Sequence, residues 1–312
     1  MYVKILDSLK IHRIVRTIHY NFSIKHWGGI VATNKTEDKK LKVAVVFWFQ
    51  KGSKIKEAYY KRVLSGIKKE AKNNGIGIKL IYNNNFLFEK KTFDNVDGII
   101  AIGKFGTRTV ELFESCTKNL VFVDFSPNRT KFDSVVIDFR NAVETVLRTL
   151  ILKGYDKIGY LGGVEYVDDQ TRVGERRGIV FRDFLIKEDM YYKEHIHLGK
   201  FSSVSGYLLM REAIAKGNIA DVYFCGDDSI CQGALKAIHE AGLRVPENVG
   251  LIGFHDAPES EKVYPALSSV HVHTKMIGEQ AVLSLVDQIK GNRKVPMRKV
   301  IPTYIKHRQS LI

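Results

Sequence analysis

The 312-residue chain has no apolar run approaching the ~18 residues that a membrane helix needs. Its start has no signal-peptide core either, because Lys4, Asp7, Lys10 and Arg13 interrupt each apolar stretch. Cysteines number only three, and Cys116, Cys225 and Cys231 lie in apolar or helical patterns. They read as reduced core thiols of a cytoplasmic protein, not as a disulfide framework. Catalytic signatures are equally scarce. No Gly-x-Ser-x-Gly occurs. Gly103-Lys104-Phe105-Gly106 lacks the spacing and the Lys-Ser/Thr of a phosphate loop, and residues 159–163 do no better. His195-Ile196-His197 and His271-Val272-His273 have no cysteine or carboxylate at a spacing that completes a zinc site. No enzyme, metal or cofactor is expected. Acid is in short supply as well: 34 Asp and Glu face 49 Lys and Arg, a formal net charge of +15. That balance favours an anionic partner, nucleic acid first, against the plainer reading of a basic but unspecialised surface.

What the chain does have is alternation. Residues 222–225 are an apolar run followed by Gly226-Asp227-Asp228. Ile230, Ala234, Ala237, Ile238 and Ala241 then recur at helical spacing up to Gly242, where a helix would stop. After a Pro246-Glu247-Asn248 turn, residues 249–254 form a second apolar run. Strand, helix and parallel strand make a doubly wound unit, whose ligands sit beyond the carboxyl ends of the strands. Both ends are polar here: Asp227 and Asp228 at one, His255 and Asp256 at the other. The rest of the chain repeats this rhythm. Strands are expected at 43–49, 76–82, 96–102 and 120–125, with helices at 57–73 and 107–115. Residues 135–138 read as a crossing to a second lobe. Beyond them, helices at 141–153, 175–187 and 205–216 alternate with strands at 158–161 and 195–198. The fold class is α/β with parallel sheets.

These residues also carry a family resemblance. Asp227-Asp228-Ser229-Ile230, then Gly233-Ala234-Leu235-Lys236-Ala237-Ile238, then the run from Ala241-Gly242-Leu243-Arg244-Val245-Pro246 to Gly253-Phe254-His255-Asp256 resemble the core of LacI/GalR-type transcriptional regulators. Pro265-Ala266-Leu267-Ser268-Ser269-Val270 and Gly278-Glu279-Gln280-Ala281 fit the same pattern, and the resemblance covers about residues 41–312. It implies two doubly wound parallel-sheet lobes joined by a three-strand hinge, the periplasmic-binding-protein-like type I fold. Lobe one would comprise 41–139 and 274–297, and lobe two 140–273 and 298–312, with a tail strand over 300–307. The resemblance further implies a repressor that closes around a small effector, a sugar or related metabolite, and so alters the spacing of paired readers on operator DNA. The absent signal peptide counts against a secreted or periplasmic sugar-binding protein. A side-by-side homodimer is expected through the 57–73 helix, where Tyr59 lies off the apolar stripe and open to a partner.

Residues 1–40 depart from the family. The usual helix-turn-helix signature, an A-G-V-S turn followed by a T-V-S-R helix, is absent from this basic leader, although Leu6, Leu9, Ile14 and Ile18 fit one face of a short helix. A truncated or frame-disrupted reader, a diverged basic arm and an unrelated leader all remain open. DNA binding is expected to be weak and without sequence preference, and a cytoplasmic sugar-binding sensor lacking a DNA reader is the alternative function.

A polyol needs bidentate partners for neighbouring hydroxyls and an aromatic face for its C–H surface. By resemblance, Asp124, Arg177, Phe201, Asp227, His255 and Thr274 are effector-binding residues. Trp48, at the end of the first strand, is a second stacking face. Asp227 stands where the family often has Asn or Ser, and Thr274 where some members place an aromatic. Each has a plainer role available. Asp124 fits a turn cap, Arg177 an ion-pair partner among its neighbouring arginines, Phe201 and Trp48 core aromatics, and His255 a hinge hydrogen-bonder.

Overall fold

The computed structural model describes residues 40–52, 54–83, 88–167, 171–173, 175–291, 293 and 295–312. All of the leader except Lys40, with the readings placed on it, lies outside them. Apolar runs become strands where both faces are covered. In β1 (Lys42–Phe47) every residue but the first is buried, and α1 (Lys54–Asn73) packs Tyr60, Val63, Leu64, Ile67 and Ala71 inward at helical spacing. Then come β2 (Gly77–Tyr82), β3 (Gly98–Ile102), α2 (Thr107–Cys116), β4 (Leu120–Val123) and β5 (Asp133–Ile137). Strands β3, β4 and β5 are buried throughout, as strands covered on both faces are.

The chain then builds a second sheet. Its elements are α3 (Phe139–Leu152), β6 (Ile158–Gly163), a small hairpin of β7 (Glu165–Val167) and β8 (Thr171–Val173), α4 (Arg176–Lys187), β9 (Ile196–Gly199), α5 (Ser203–Ala215), β10 (Val222–Cys225), α6 (Asp228–Glu240), β11 (Gly250–His255) and β12 (Ser268–Val272). Helix α7 (Thr274–Ile289) returns to the first sheet, β13 (Arg298–Ile301) pairs with β5, and β14 (Thr303–Lys306) pairs antiparallel with β12. The sheet orders are β13-β5-β4-β3-β1-β2 and β14-β12-β11-β10-β6-β9, parallel except at β14. These sheets with their helices are lobe one and lobe two.

Three connections pass between the lobes: after β5, after β12, and at Pro302. The first falls at Asp138, the end of the expected crossing at 135–138, because residues 135–137 complete β5 of the first sheet before Asp138 caps α3. The tail is two strands, not the expected single strand over 300–307. Pro302 has no N–H to give a ladder, so the strand breaks there and its halves join different sheets. The β7–β8 hairpin was not expected at all. Cys225 and Cys231 are buried free thiols and Cys116 is partly buried, as their patterns indicate.

Both lobes close their helical layer with the same device. A Cβ on Gly66 of α1 would meet the Lys275 carbonyl of α7 at 2.0 Å, and one on Gly278 would meet the Val63 carbonyl at 2.1 Å. Gly206 and Gly233 stand in the same reciprocal relation between α5 and α6. Small residues there let helix backbones touch.

Candidate functional site

In parallel sheets the carboxyl ends of all strands point one way, and in both lobes those ends border one cleft. Its cavity volume is about 70 Å³, below the roughly 300–1,000 Å³ usual for small-molecule sites. Trp48, Tyr59, Tyr60, Lys104 and Asp124 line it from lobe one, and Arg177, Phe201, Asp227 and His255 from lobe two, with Phe139 at the crossing. Six of the seven expected residues therefore meet in one place. The seventh, Thr274, does not. As the first residue of α7 it is 5% exposed and lines a separate hollow with His271, His273 and Asp256. The chain turns back into lobe one at that point, which carries Thr274 behind His255.

The backbone is strained at polar residues that end or follow these strands. Asp124 (φ 61°) follows β4, His255 (φ 96°) ends β11, and Asp256 (φ 50°) follows it. Left-handed backbone at non-glycine residues costs on the order of 1–3 kcal/mol each and gathers at functional sites. Trp48 depends on a glycine. A Cβ on Gly103 would fall 1.7 Å from its ring, so only glycine lets the indole, 3% exposed, settle beside the end of β3.

Arg177 is the centre of the lobe-two side. It is 6% exposed, and its guanidinium lies 5.1 Å from the Phe201 and Phe254 rings and 5.6 Å from Phe139. Glu175 holds it. That carboxylate accepts from Arg177 Nε at 2.5 Å, from the amides of Arg177 and Gly178 at 3.1 and 2.7 Å, and from the Tyr160 hydroxyl. Burial alone would raise the Glu175 pKa, but Arg177 and these donors hold it below the usual carboxylate range. Arg177 Nη1 is left buried with no hydrogen-bond partner among the described residues. A buried, charged donor without a partner is costly, and a ligand oxygen would relieve it.

Asp227 caps α6 by accepting from the Ser229 amide at 2.8 Å, and its other oxygen lies 2.9 Å from His255 Nδ1. Burial lowers the His255 pKa, so the ring is neutral at pH 7. Burial raises that of Asp227, but the bonds from His255 and Ser229 outweigh it and keep the carboxyl ionised. The neutral ring then donates from Nδ1 and keeps Nε2 as an acceptor. Across the cleft, the Tyr60 hydroxyl donates to Asp124 Oδ2 at 2.9 Å. Burial and the adjacent Asp124 push the Tyr60 hydroxyl well above its ordinary pKa, so it remains a donor. Positive and negative groups are balanced around aromatic walls, an arrangement suited to a neutral polyhydroxyl ligand.

Residues 147–311 match the periplasmic binding protein-like domain family. The HTH-type transcriptional regulator GalR of Streptococcus thermophilus is 31% identical over 279 residues, which are 89% of this chain and 83% of that protein. The HTH-type transcriptional repressor MelR of Bacillus subtilis (strain 168) is 32% identical over 263 residues, 81% of this chain and 74% of that protein. The chain belongs to the LacI/GalR family of transcriptional regulators. A solved complex of the transcriptional regulator CelR with cellobiose shares the fold, with a TM-score of 0.75 at 24% identity over 86% of this chain and 84% of that one. The two relatives are regulators rather than enzymes. Among the described residues, no three His, Cys, Asp or Glu side chains are placed to hold a metal, and no helix is long and apolar enough to cross a membrane.

Within this LacI/GalR-type frame, sequence reasoning missed four cleft residues and one support. Tyr59 was expected to face a partner subunit, yet its ring lies 4.6 Å from that of His255. The first turns of α1 point at the cleft, so a residue off the apolar stripe still meets the opposite lobe. Tyr60 and Phe139 were not singled out, Lys104 was weighed only as part of a phosphate loop, and Glu175 was read only as a helix start. A carboxylate two residues before a helix-opening arginine was the available signal for Glu175. His195 and His197 are far from this chemistry. Burial lowers both pKa values, and neither belongs to a metal cluster among the described residues.

Proposed function

We propose that this chain is a sugar-responsive transcriptional repressor whose effector lies between the lobes. Arg177 would hold two neighbouring hydroxyls, and Asp124, Asp227 and His255 would accept from or donate to others. Trp48 and Phe201 would cover the C–H faces of the rings. The observation that carries the reading is Arg177 Nη1, buried and without a partner among the described residues, in a cleft where Glu175, Asp227, His255 and Asp124 are each held by a neighbour. Effector binding would alter the angle between the lobes through the three crossings, and a homodimer would pass that change to operator DNA wherever a working reader is joined to the lobes. Thr274 remains outside this proposed set.

Isothermal titration with a panel of mono- and disaccharides tests the effector class. At least one neutral sugar should bind, with affinity falling roughly 10–100-fold in Arg177→Ala. Binding of a nucleobase or an amino acid by a chain that ignores every sugar would overturn the reading. Mobility shifts on DNA upstream of the chain's own gene, with scrambled competitor at ~150 mM salt, test the DNA arm. Weak complexes without sequence preference are expected, far from the roughly 10³–10⁷-fold discrimination of specific regulators.

A further inference from the structure

The net charge is not spread over the molecule. Residues 40–139 and 274–301, which build lobe one, hold 24 Lys and Arg against 12 Asp and Glu, whereas residues 140–273 and 302–312, which build lobe two, hold 18 against 19. Lobe one therefore carries +12 of the +15, and lobe two is nearly neutral at −1. Much of the excess gathers at one end. Lys40 lies just before β1 and Lys42 at its start, Lys68 and Lys72 in the last turns of α1, Lys118 just before β4, and Lys290 just beyond α7. Three hydrogen bonds bring these segments together: Gly77 N to the Leu41 carbonyl, Ile99 N to the Asn119 carbonyl, and Gln288 Nε2 to the Leu120 carbonyl. All six lysines are exposed, and none makes an ion pair among the described residues. The acidic groups on or beside these segments are Glu70, Asp94, Asp97 and Asp287, and Asp97 accepts the Lys42 amide at 2.7 Å.

We infer that this end of lobe one is a contact surface for the phosphate backbone of duplex DNA, independent of any sequence-reading segment. It lies at the amino ends of the parallel strands, opposite the cleft, and β1 alone separates the two ends by about 20 Å. Lysines at helix C-termini also complement the helix dipole, which accounts for Lys72 and Lys290 but not for Lys42 at the start of a strand or Lys40 just before it. Duplex DNA is the polyanion that a rigid, distributed set of point charges fits, because its phosphates recur on a fixed lattice and neutralising them releases counterions.

Fluorescence anisotropy of the full chain on a random-sequence duplex of about 30 base pairs, from about 50 to 200 mM salt, tests the inference. A variant carrying Lys40→Gln, Lys72→Gln, Lys118→Gln and Lys290→Gln should bind at least about 10-fold more weakly at low salt, with a salt slope shallower by about 2–3. A matched variant with four exposed lobe-two lysines changed, Lys187→Gln, Lys193→Gln, Lys200→Gln and Lys262→Gln, removes the same charge and should stay within about 2-fold of the wild type. Restoring charge with arginine at the four lobe-one positions should restore binding. Equal losses in both glutamine variants, or no loss in either, would overturn the inference. So would retention on anionic vesicles by a chain that does not bind the duplex.

Discussion

Lobe two starts each of its helices on a side-chain cap: Asp138 for α3, Glu175 for α4, Ser202 for α5 and Asp227 for α6. In lobe one, α2 starts at Gly106 and α7 at His273 with no side-chain cap. Two of the lobe-two caps do a second job, since Glu175 fixes Arg177 and Asp227 fixes His255. The cleft face of lobe two is thus a buried ionic network, already organised before any ligand arrives. The cleft face of lobe one is aromatic, with Trp48, Tyr59 and Tyr60 and one hydroxyl–carboxylate contact. Lys104 and Asp124 apart, its lysine cluster lies at the opposite end. The same sheet-and-helix plan therefore supports a preorganised polar half and a more weakly wired apolar half.

The contrast is sharpest at Glu175. Removing one partner of a buried ion pair leaves an uncompensated charge, so Glu175→Ala should cost about 3–5 kcal/mol in urea unfolding. Glu175→Gln, which keeps part of the hydrogen bonding, should cost less. If neither variant lost stability, the idea of a load-carrying network in lobe two would fail.

Asp228, behind Asp227, comes next. It is 1% exposed, accepts from Ser269 Oγ at 2.6 Å and the Ala257 amide at 2.5 Å, and burial with the adjacent Asp227 raises its pKa to about 7. Between pH ~4 and ~7 the folded chain keeps a proton there that the unfolded chain releases, so this group's contribution to stability falls as pH rises. Asp228→Asn, which mimics the protonated acid, should gain stability over the wild type across that window, on the order of 4 kcal/mol in total. Chemical denaturation of both proteins at several pH values reads the difference, and parallel curves would refute it.

Arg177→Ala should weaken effector binding by about 1.5–3 kcal/mol in calorimetry, while removing a lobe-one wall residue such as Trp48 should act through lost apolar contact. The smallest effect belongs to lobe one. Tyr60→Phe deletes the hydroxyl that donates to Asp124 and should cost about 0.5–1.5 kcal/mol in thermal unfolding. A loss as large as that of Glu175→Ala would erase the difference between the lobes.

Much of this was legible from short-range pattern. Asp124, Asp227 and His255 stand just after apolar runs, and in a parallel sheet that position alone directs them to the cleft end. Arg177 and Phe201 stand at helix starts, which point the same way. Tyr59 and Phe139 were not legible, because their exposure depends on the opposite lobe and not on their own helix. Thr274 was misplaced for the same reason: whether α7 begins inside the cleft or behind it is set by the path of the crossing strand.

Sequence alone determined the alternation of strands and helices, the strand-end position of the polar groups, the family and the total charge. The family follows from the resemblance of separated motifs, and the rest from periodicity and composition, which neighbouring residues express without help from distant ones. Only the tertiary structure decided which oxygen of Glu175 meets Arg177, that Pro302 divides the tail between two sheets, and that the positive charge belongs to one lobe. Each of these depends on segments far apart in the chain being brought within hydrogen-bond or Coulomb range, where a few ångströms decide which groups interact.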